Sequence, residues 1–220
     1  DFIMLSMINI RFCDFTFYDT LCTGGFQGFQ KKFTKRKEVC AMIYVSDIYN
    51  IAPNEYHTPL QQQTYQTLEK LHIPFERVET DEVITMEDCI AINKKLDMEM
   101  VKTLFLCNRQ QTAFYLFITT GSKPFRSKDF SNALGVSRVS FAPAELMETM
   151  LGTKIGAATV FSAILDNQNT VQIVLDKDVV NSEWYGCSDG ITTSYMKIKT
   201  EYITDTFLQY VKHIPAVIEV

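Results

Sequence analysis

Hydrophobic positions from Thr58 onward change period several times, and each change marks an element. Leu60, Tyr65, Leu68 and Leu71 recur at helical spacing, and Thr58 stands where an N-cap belongs, so the pattern predicts a helix from Thr58 to about Leu71. His72-Ile73-Pro74 ends it, because the residue before a proline avoids the helical region. Phe75 to Glu79 alternates as a strand does, and Thr85 with Asp88 forms a capping-box signature opening a helix to about Leu96. Val101–Cys107 and Phe114–Thr119 read as two strands joined by the polar Asn108-Arg109-Gln110-Gln111, a hairpin signal. A helix from Ser127 to Leu134 stops at Gly135, and Pro143 opens another that ends near Gly152.

Val160–Leu165 and Val171–Leu175 bracket Asp166-Asn167-Gln168-Asn169 and predict a second hairpin. Ile191–Ile198 predicts a further strand, Thr200 caps a last helix to about Val211, and Ala216–Val220 predicts a closing strand. Hairpins interleaved with helices predict an α+β fold with a mixed, largely antiparallel sheet. Neither an internal repeat nor a low-complexity segment interrupts residues 42–220.

Residues 1–41 break this regularity. They are rich in Phe and Cys, carry Thr23-Gly24-Gly25-Phe26-Gln27-Gly28, and end in a basic run of Lys31, Lys32, Lys35, Arg36 and Lys37. The run reads as a nucleic-acid-binding arm or as a solvated one. A third reading rests on Lys37-Glu38-Val39, which AAG-GAG-GTN, a bacterial ribosome-binding sequence, can encode, with Met42 at start-codon distance. Residues 1–41 are then a translated leader, and 42–220 is the domain.

Composition narrows the function classes. Hydrophobic residues are 46% and charged residues 21% of the 220, an ordinary globular balance, and no apolar run is long enough to span a bilayer. The net charge of −5 argues against broad binding along a nucleic-acid backbone, although a few lysines can still grip one single-stranded end. Residues 42–220 alone keep fifteen basic and twenty-two acidic side chains, a net of −7. Six cysteines without a CxxC pair and three scattered histidines offer no metal-ligand spacing, and free thiols fit a reducing cytoplasm. Neither a dinucleotide fingerprint, a P-loop nor a GxSxG elbow is present, and no cofactor is called for.

Three segments are candidates for chemistry. Lys102 lies inside a predicted strand, where it faces either solvent or a site. Gly152-Thr-Lys-Ile-Gly156-Ala157-Ala158-Thr159 is a loop of small residues, either a ligand cradle with approachable N–H groups or a tight turn. Tyr185-Gly186-Cys187-Ser188-Asp189-Gly190-Ile191-Thr192-Thr193 is dense in small polar residues, either a pocket wall or a turn before a strand.

Leu134-Gly135-Val136-Ser137-Arg138-Val139-Ser140-Phe141-Ala142 resembles the LGV-x-R-[LV]-SFA signature of the YbaK/prolyl-tRNA-synthetase-associated domain family. Lys102–Leu106 resembles that family's K-N-L-F-L strand, Val171–Asp176 its V-x-[VL]-V-L-D strand, and Leu71–Val78 the segment after its first helix. The resemblance runs in order from about Thr58 to Val220 and implies a barrel-like sheet flanked by helices. It implies a trans-acting aminoacyl-tRNA deacylase whose substrate is a mischarged tRNA, most simply tRNA for proline carrying alanine. Its partners are then the acceptor CCA end with its amino acid, and prolyl-tRNA synthetase.

By position, the resemblance implies that Lys102, Gly156, Ala157 and Ala158 carry the chemistry and that Thr103, Thr159, Tyr185, Ser188, Asp189 and Thr192 line the substrate site. Loop amides would stabilise the oxyanion while a bound water attacks, so that no protein nucleophile is required. Three departures stand out: Val160 replaces the loop proline, Thr103 the asparagine after the lysine, and Tyr185-Gly186 a His-Pro pair, with Asp189 at an asparagine position. These departures admit an alternative, a non-catalytic module that senses aminoacyl-tRNA or an amino acid.

Overall fold

The computed structural model describes residues 43–220. The leader and basic-run expectations for residues 1–41 lie outside the described residues.

The first helix, α1 (Pro59–Lys70), forms where the pattern placed it. The Thr58 hydroxyl accepts from the Gln61 amide at 3.1 Å, and Leu60, Tyr65 and Leu68 turn into the core. It ends at His72, which takes a left-handed φ of 52° before Pro74. Strand β1 (Glu76–Glu79) leads to α2 (Cys89–Leu96). The predicted capping box is present: the Asp88 amide donates to the Thr85 hydroxyl at 3.3 Å, and the Thr85 amide to the Asp88 carboxylate at 3.1 Å.

Strands β2 (Val101–Asn108) and β3 (Phe114–Thr120) form the expected hairpin, closed by Asn108 Oδ1, which accepts from the Thr112 and Ala113 amides. Helix α3 (Ser127–Leu134) stops at Gly135 with φ 71°, and β4 (Val139–Phe141) returns to the open edge of β2. The helix expected after Pro143 begins as Ala144–Leu146 and widens to a π-helix over Met147–Leu151, ended by Gly152 at φ 64°.

The second hairpin does not form. Val160–Ile164 is a 3₁₀ helix, and β5 (Val171–Asp176) pairs in parallel with β3. A short run that is apolar at nearly every position has no period to separate strand from buried helix. Here Val160 and Phe161 are fully buried. The polar stretch between is a side-chain-built turn, in which the Asp166 carboxylate accepts from the Thr170 and Val171 amides at 2.9 and 2.7 Å.

Strands β6 (Trp184–Ser188) and β7 (Ser194–Lys199) follow, so the expected strand starts later than Ile191 and a strand stands where a loop was read. The last helical stretch, Tyr202–Tyr210, is largely π-helical, and the Thr200 hydroxyl has no hydrogen-bond partner and makes no cap. Strand β8 (Ala216–Ile218) closes the chain on β5.

The result is α+β with two sheets. One runs β4-β2-β3-β5-β8, antiparallel through β4, β2 and β3 and parallel beyond; the other, β1-β7-β6, is antiparallel throughout. They meet at a bridge between Met100 and Gly186, without closing into a barrel. The main core, with Tyr65, Phe105, Phe161, Met196 and Phe207, lies between the sheets and helices, and a smaller one under α3 holds Leu106, Phe117 and Phe130. Among the described residues no helix is long and apolar enough to cross a membrane.

Candidate active site

The loop 153–159 and the segment 185–193 come together. The Ser188 hydroxyl donates to the Ala157 carbonyl at 3.1 Å and accepts from the Gly190 amide at 3.2 Å. Lys154, Ile155 and Gly156 form the exposed tip of the first loop. Gly156 has φ 88°, a conformation that an L side chain adopts only under strain. A β-carbon there would stand 3.3 Å from the Thr192 methyl and 3.4 Å from Ile84 Cα, so the tip also rests on the 83–87 loop. Not every loop amide is available to a ligand: the Ala157 N–H donates to the Lys154 carbonyl at 3.0 Å.

Several predicted residues are buried rather than open to a ligand. Asp189 has no exposed surface, and three neutral donors converge on its Oδ2: Ser194 Oγ at 2.6 Å, Tyr65 OH at 2.8 Å and Gln61 Nε2 at 3.0 Å. Its Oδ1 is buried without a partner. Burial pushes this carboxyl above the usual aspartate range, while the three hydrogen bonds and the more distant charge of Arg77 oppose the rise. Thr159 and Cys187 are equally buried, and burial raises the Cys187 thiol well above its ordinary value. Tyr185 is buried too, with Thr103 beside it. At the adjoining Gly186 a β-carbon would crowd Met98 Sδ and stand 3.0 Å from the Glu99 carbonyl, where β6 crosses the start of β2.

Lys102 and Thr103 do not share a face. Successive side chains of a strand alternate, and Lys102 lies with Leu104 and Leu106, whereas Thr103 lies with Phe105 on the main-core side. Half-buried Lys102 donates from Nζ to the Lys123 carbonyl at 2.6 Å. Burial lowers its pKa, and the carboxylate of Glu87, from the loop that supports Gly156, offsets part of that effect. Lys123 is itself held by Asp176 and Asp178, at 2.9 and 2.6 Å, and Asp176 also accepts from Thr119 Oγ1 at 2.6 Å.

Sequence reasoning missed this supporting shell. Gln61 and Tyr65 around Asp189 lie more than a hundred residues away along the chain, Lys123 and Glu87 are brought to Lys102 from other elements, and Ser194, five residues after Asp189, reaches it only through the turn into β7. Asp176 alone had a signal, as the polar end of an apolar strand.

The aminoacyl-tRNA editing domain profile matches residues 80–206, a stretch that includes Lys102, the Gly156 loop and the Ser188–Thr192 segment. The chain belongs to this family. It is 27% identical over 124 residues to the prolyl-tRNA editing protein ProX of Acetoanaerobium sticklandii, covering 54% of this chain and 73% of that protein. Over 122 residues it is 25% identical to prolyl-tRNA synthetase associated domain-containing protein 1 of Danio rerio, covering 56% of this chain and 66% of that one. Among solved structures, a candidate trans-editing enzyme for prolyl tRNA synthetase superposes with a TM-score of 0.53 at 15% identity, over 75% of this chain and 99% of the other. Hypothetical protein APE2540 superposes with a TM-score of 0.56 at 13% identity, over 72% and 98%. At these identities the structural matches establish the shared fold.

Proposed function

We propose that this chain hydrolyses alanine from tRNA for proline. Membership of the editing family makes the reaction the cleavage of an aminoacyl ester. The observation that carries the reading is the Gly156 loop: an exposed backbone tip in a left-handed conformation, buttressed by Ser188 behind and Ile84 beside it, within the family-matched stretch. Fixed N–H groups at such a tip suit the oxyanion that develops during ester hydrolysis. Gly156, Ala158 and Thr192 face the substrate in this reading, and Lys102 orients the CCA end. Ser188, Asp189, Thr159, Tyr185 and Thr103 act from behind, holding the loops.

The attacking group is a water. A raised thiol pKa leaves little thiolate at neutral pH, and the thiols of Cys89 and Cys187 are pushed up by burial, that of Cys89 to about 11. Alanine enters a cradle of small residues that proline overfills, which gives selection by size. Prolyl-tRNA synthetase is the proposed partner, and the cytoplasm the proposed setting, consistent with the curated relatives being named for prolyl-tRNA editing and for association with that synthetase.

The alternative is a sensing module without turnover. Its support is Tyr185, which stands where the resembled family carries a histidine and is buried at 1% exposure, out of reach of a bound ester. A deacylation assay over a panel of mischarged tRNAs separates the two: release of alanine from tRNA for proline supports the enzyme, and binding without release supports the sensor.

A further inference from the structure

Beside the candidate active site lies a cavity of about 450 Å³, within the range of small-molecule sites. Its outer wall is the segment from Tyr49 to His57, which precedes the family-matched stretch; its floor is Arg77 and Glu79 of β1 with Gln61 of α1 and Ser194 of β7. Ile191 and Thr193 line it on either side of Thr192, whose methyl a β-carbon at Gly156 would meet, so the cavity and the active-site loop adjoin one strip of backbone.

The wall is built, not incidental. Tyr49 and Arg77 exchange backbone hydrogen bonds at 2.8 Å in both directions. Arg77, 4% exposed, donates from Nε to the Ile51 carbonyl at 2.7 Å and from Nη1 to Glu79 at 2.8 Å, and its guanidinium lies 5.0 Å from the centre of the Tyr49 ring. Gln61 Oε1 accepts from the His57 amide at 2.8 Å.

The charges decide what this cavity can hold. Arg77 is already neutralised by Glu79, and Glu55 adds a second carboxylate, so a phosphate is disfavoured. Carboxylate and amide oxygens suit a planar group that donates from an exocyclic amine, as Glu or Asp accepts from cytosine N4 and Asn or Gln from adenine N6. An aromatic ring stacked with a guanidinium is a platform for an unpaired base. All three bases of a CCA end carry an exocyclic amine. We infer that the cavity between the 49–57 segment and β1 takes one of the two unpaired cytosines of the tRNA's CCA end, read through its N4 amine by Glu55, Glu79 and Asn54. This rests on the aminoacyl-tRNA reading above and adds a base-reading subsite to it.

The test titrates the isotope-labelled full chain with the ribotrinucleotides CCA and UUA, which differ by two amine-bearing bases, and with inorganic phosphate. CCA is expected to shift the amides of Tyr49, Ile51, Ile191 and Thr193 and to bind about ten-fold more tightly than UUA, the discrimination of one good base contact. Glu55→Ala and Asn54→Ala, both at exposed positions, should erase that preference, and Tyr49→Ala should raise KM for aminoacyl-tRNA. Equal binding of CCA and UUA, shifts that avoid the 49–57 segment, or displacement by inorganic phosphate would overturn the inference. If the wild type hydrolyses no mischarged tRNA, the deacylase reading fails, whereas the CCA preference still decides what the cavity binds.

Discussion

The Ser188 hydroxyl holds the Ala157 carbonyl at 3.1 Å, tying the end of β6 to the loop that carries Gly156. Thirty-one residues separate them along the chain, and the contact is buried, so its loss leaves a carbonyl and the Gly190 amide without partners. Ser188→Ala should cost about 1–3 kcal/mol of stability and lower deacylation as the loop loosens. Urea denaturation checks the first and kcat/KM the second. Unchanged stability would show that the two loops do not depend on this bond.

Asp189 should make stability fall as pH rises. Its folded pKa lies above the unfolded value, so the folded state holds a proton that the unfolded chain has released, and stability declines from about pH 4, the unfolded carboxylate value, up through the folded pKa. Asp189→Asn cannot release that proton and should lose this slope, making its Tm relative to wild type higher at neutral pH than at pH 4. Parallel Tm profiles for the two proteins would contradict it. Asp189→Ala, by contrast, strands Gln61, Tyr65 and Ser194 and should lower Tm at every pH.

Two glycines separate backbone strain from site chemistry. Gly156 and Gly135 have φ of 88° and 71°, but a β-carbon at Gly135 meets nothing within 4 Å, while at Gly156 it meets Thr192 and Ile84. Each change to alanine should cost roughly 1–2 kcal/mol of backbone strain. Only Gly156→Ala should also lower kcat/KM, and strongly. Equal activity in the two variants would reduce the 153–159 loop to a turn.

These predictions show which parts of the site were legible in the sequence. Local signals carried well: the Thr58 cap, the Thr85–Asp88 box, the Asn108 hairpin and the Gly135 stop all depend on residues within about five positions of one another. Val160–Ile164 misled because a fully buried apolar run looks alike as strand or 3₁₀ helix. Strand β6 was hidden by its small residues, which suit it because Gly186 leaves room beside Met98 and Ser188 reaches Ala157. Two of the three donors on Asp189, Gln61 and Tyr65, come from α1 more than a hundred residues away, so its burial was a fact of tertiary structure.

The N-terminal stretch yields a direct prediction. The family-matched residues 80–206 all lie downstream of Met42. A chain beginning at Met42 should therefore fold with the Tm and kcat/KM of the full chain. Aggregation, or a loss of tRNA affinity, would assign residues 1–41 a role in the domain.

The central claim is that this chain hydrolyses an aminoacyl ester with the help of Lys102 and the Gly156 loop, and the rate of amino-acid release from tRNA for proline tests it most directly. Wild type should release alanine and spare proline. Lys102→Ala should lower alanine release on the order of 10²–10³-fold, as when a preorganised polar group is removed from a transition state, with Tm unchanged because the side chain is half-exposed and its one described bond is to the Lys123 carbonyl. No release by wild type, equal release of alanine and proline, or full activity in Lys102→Ala would contradict the account.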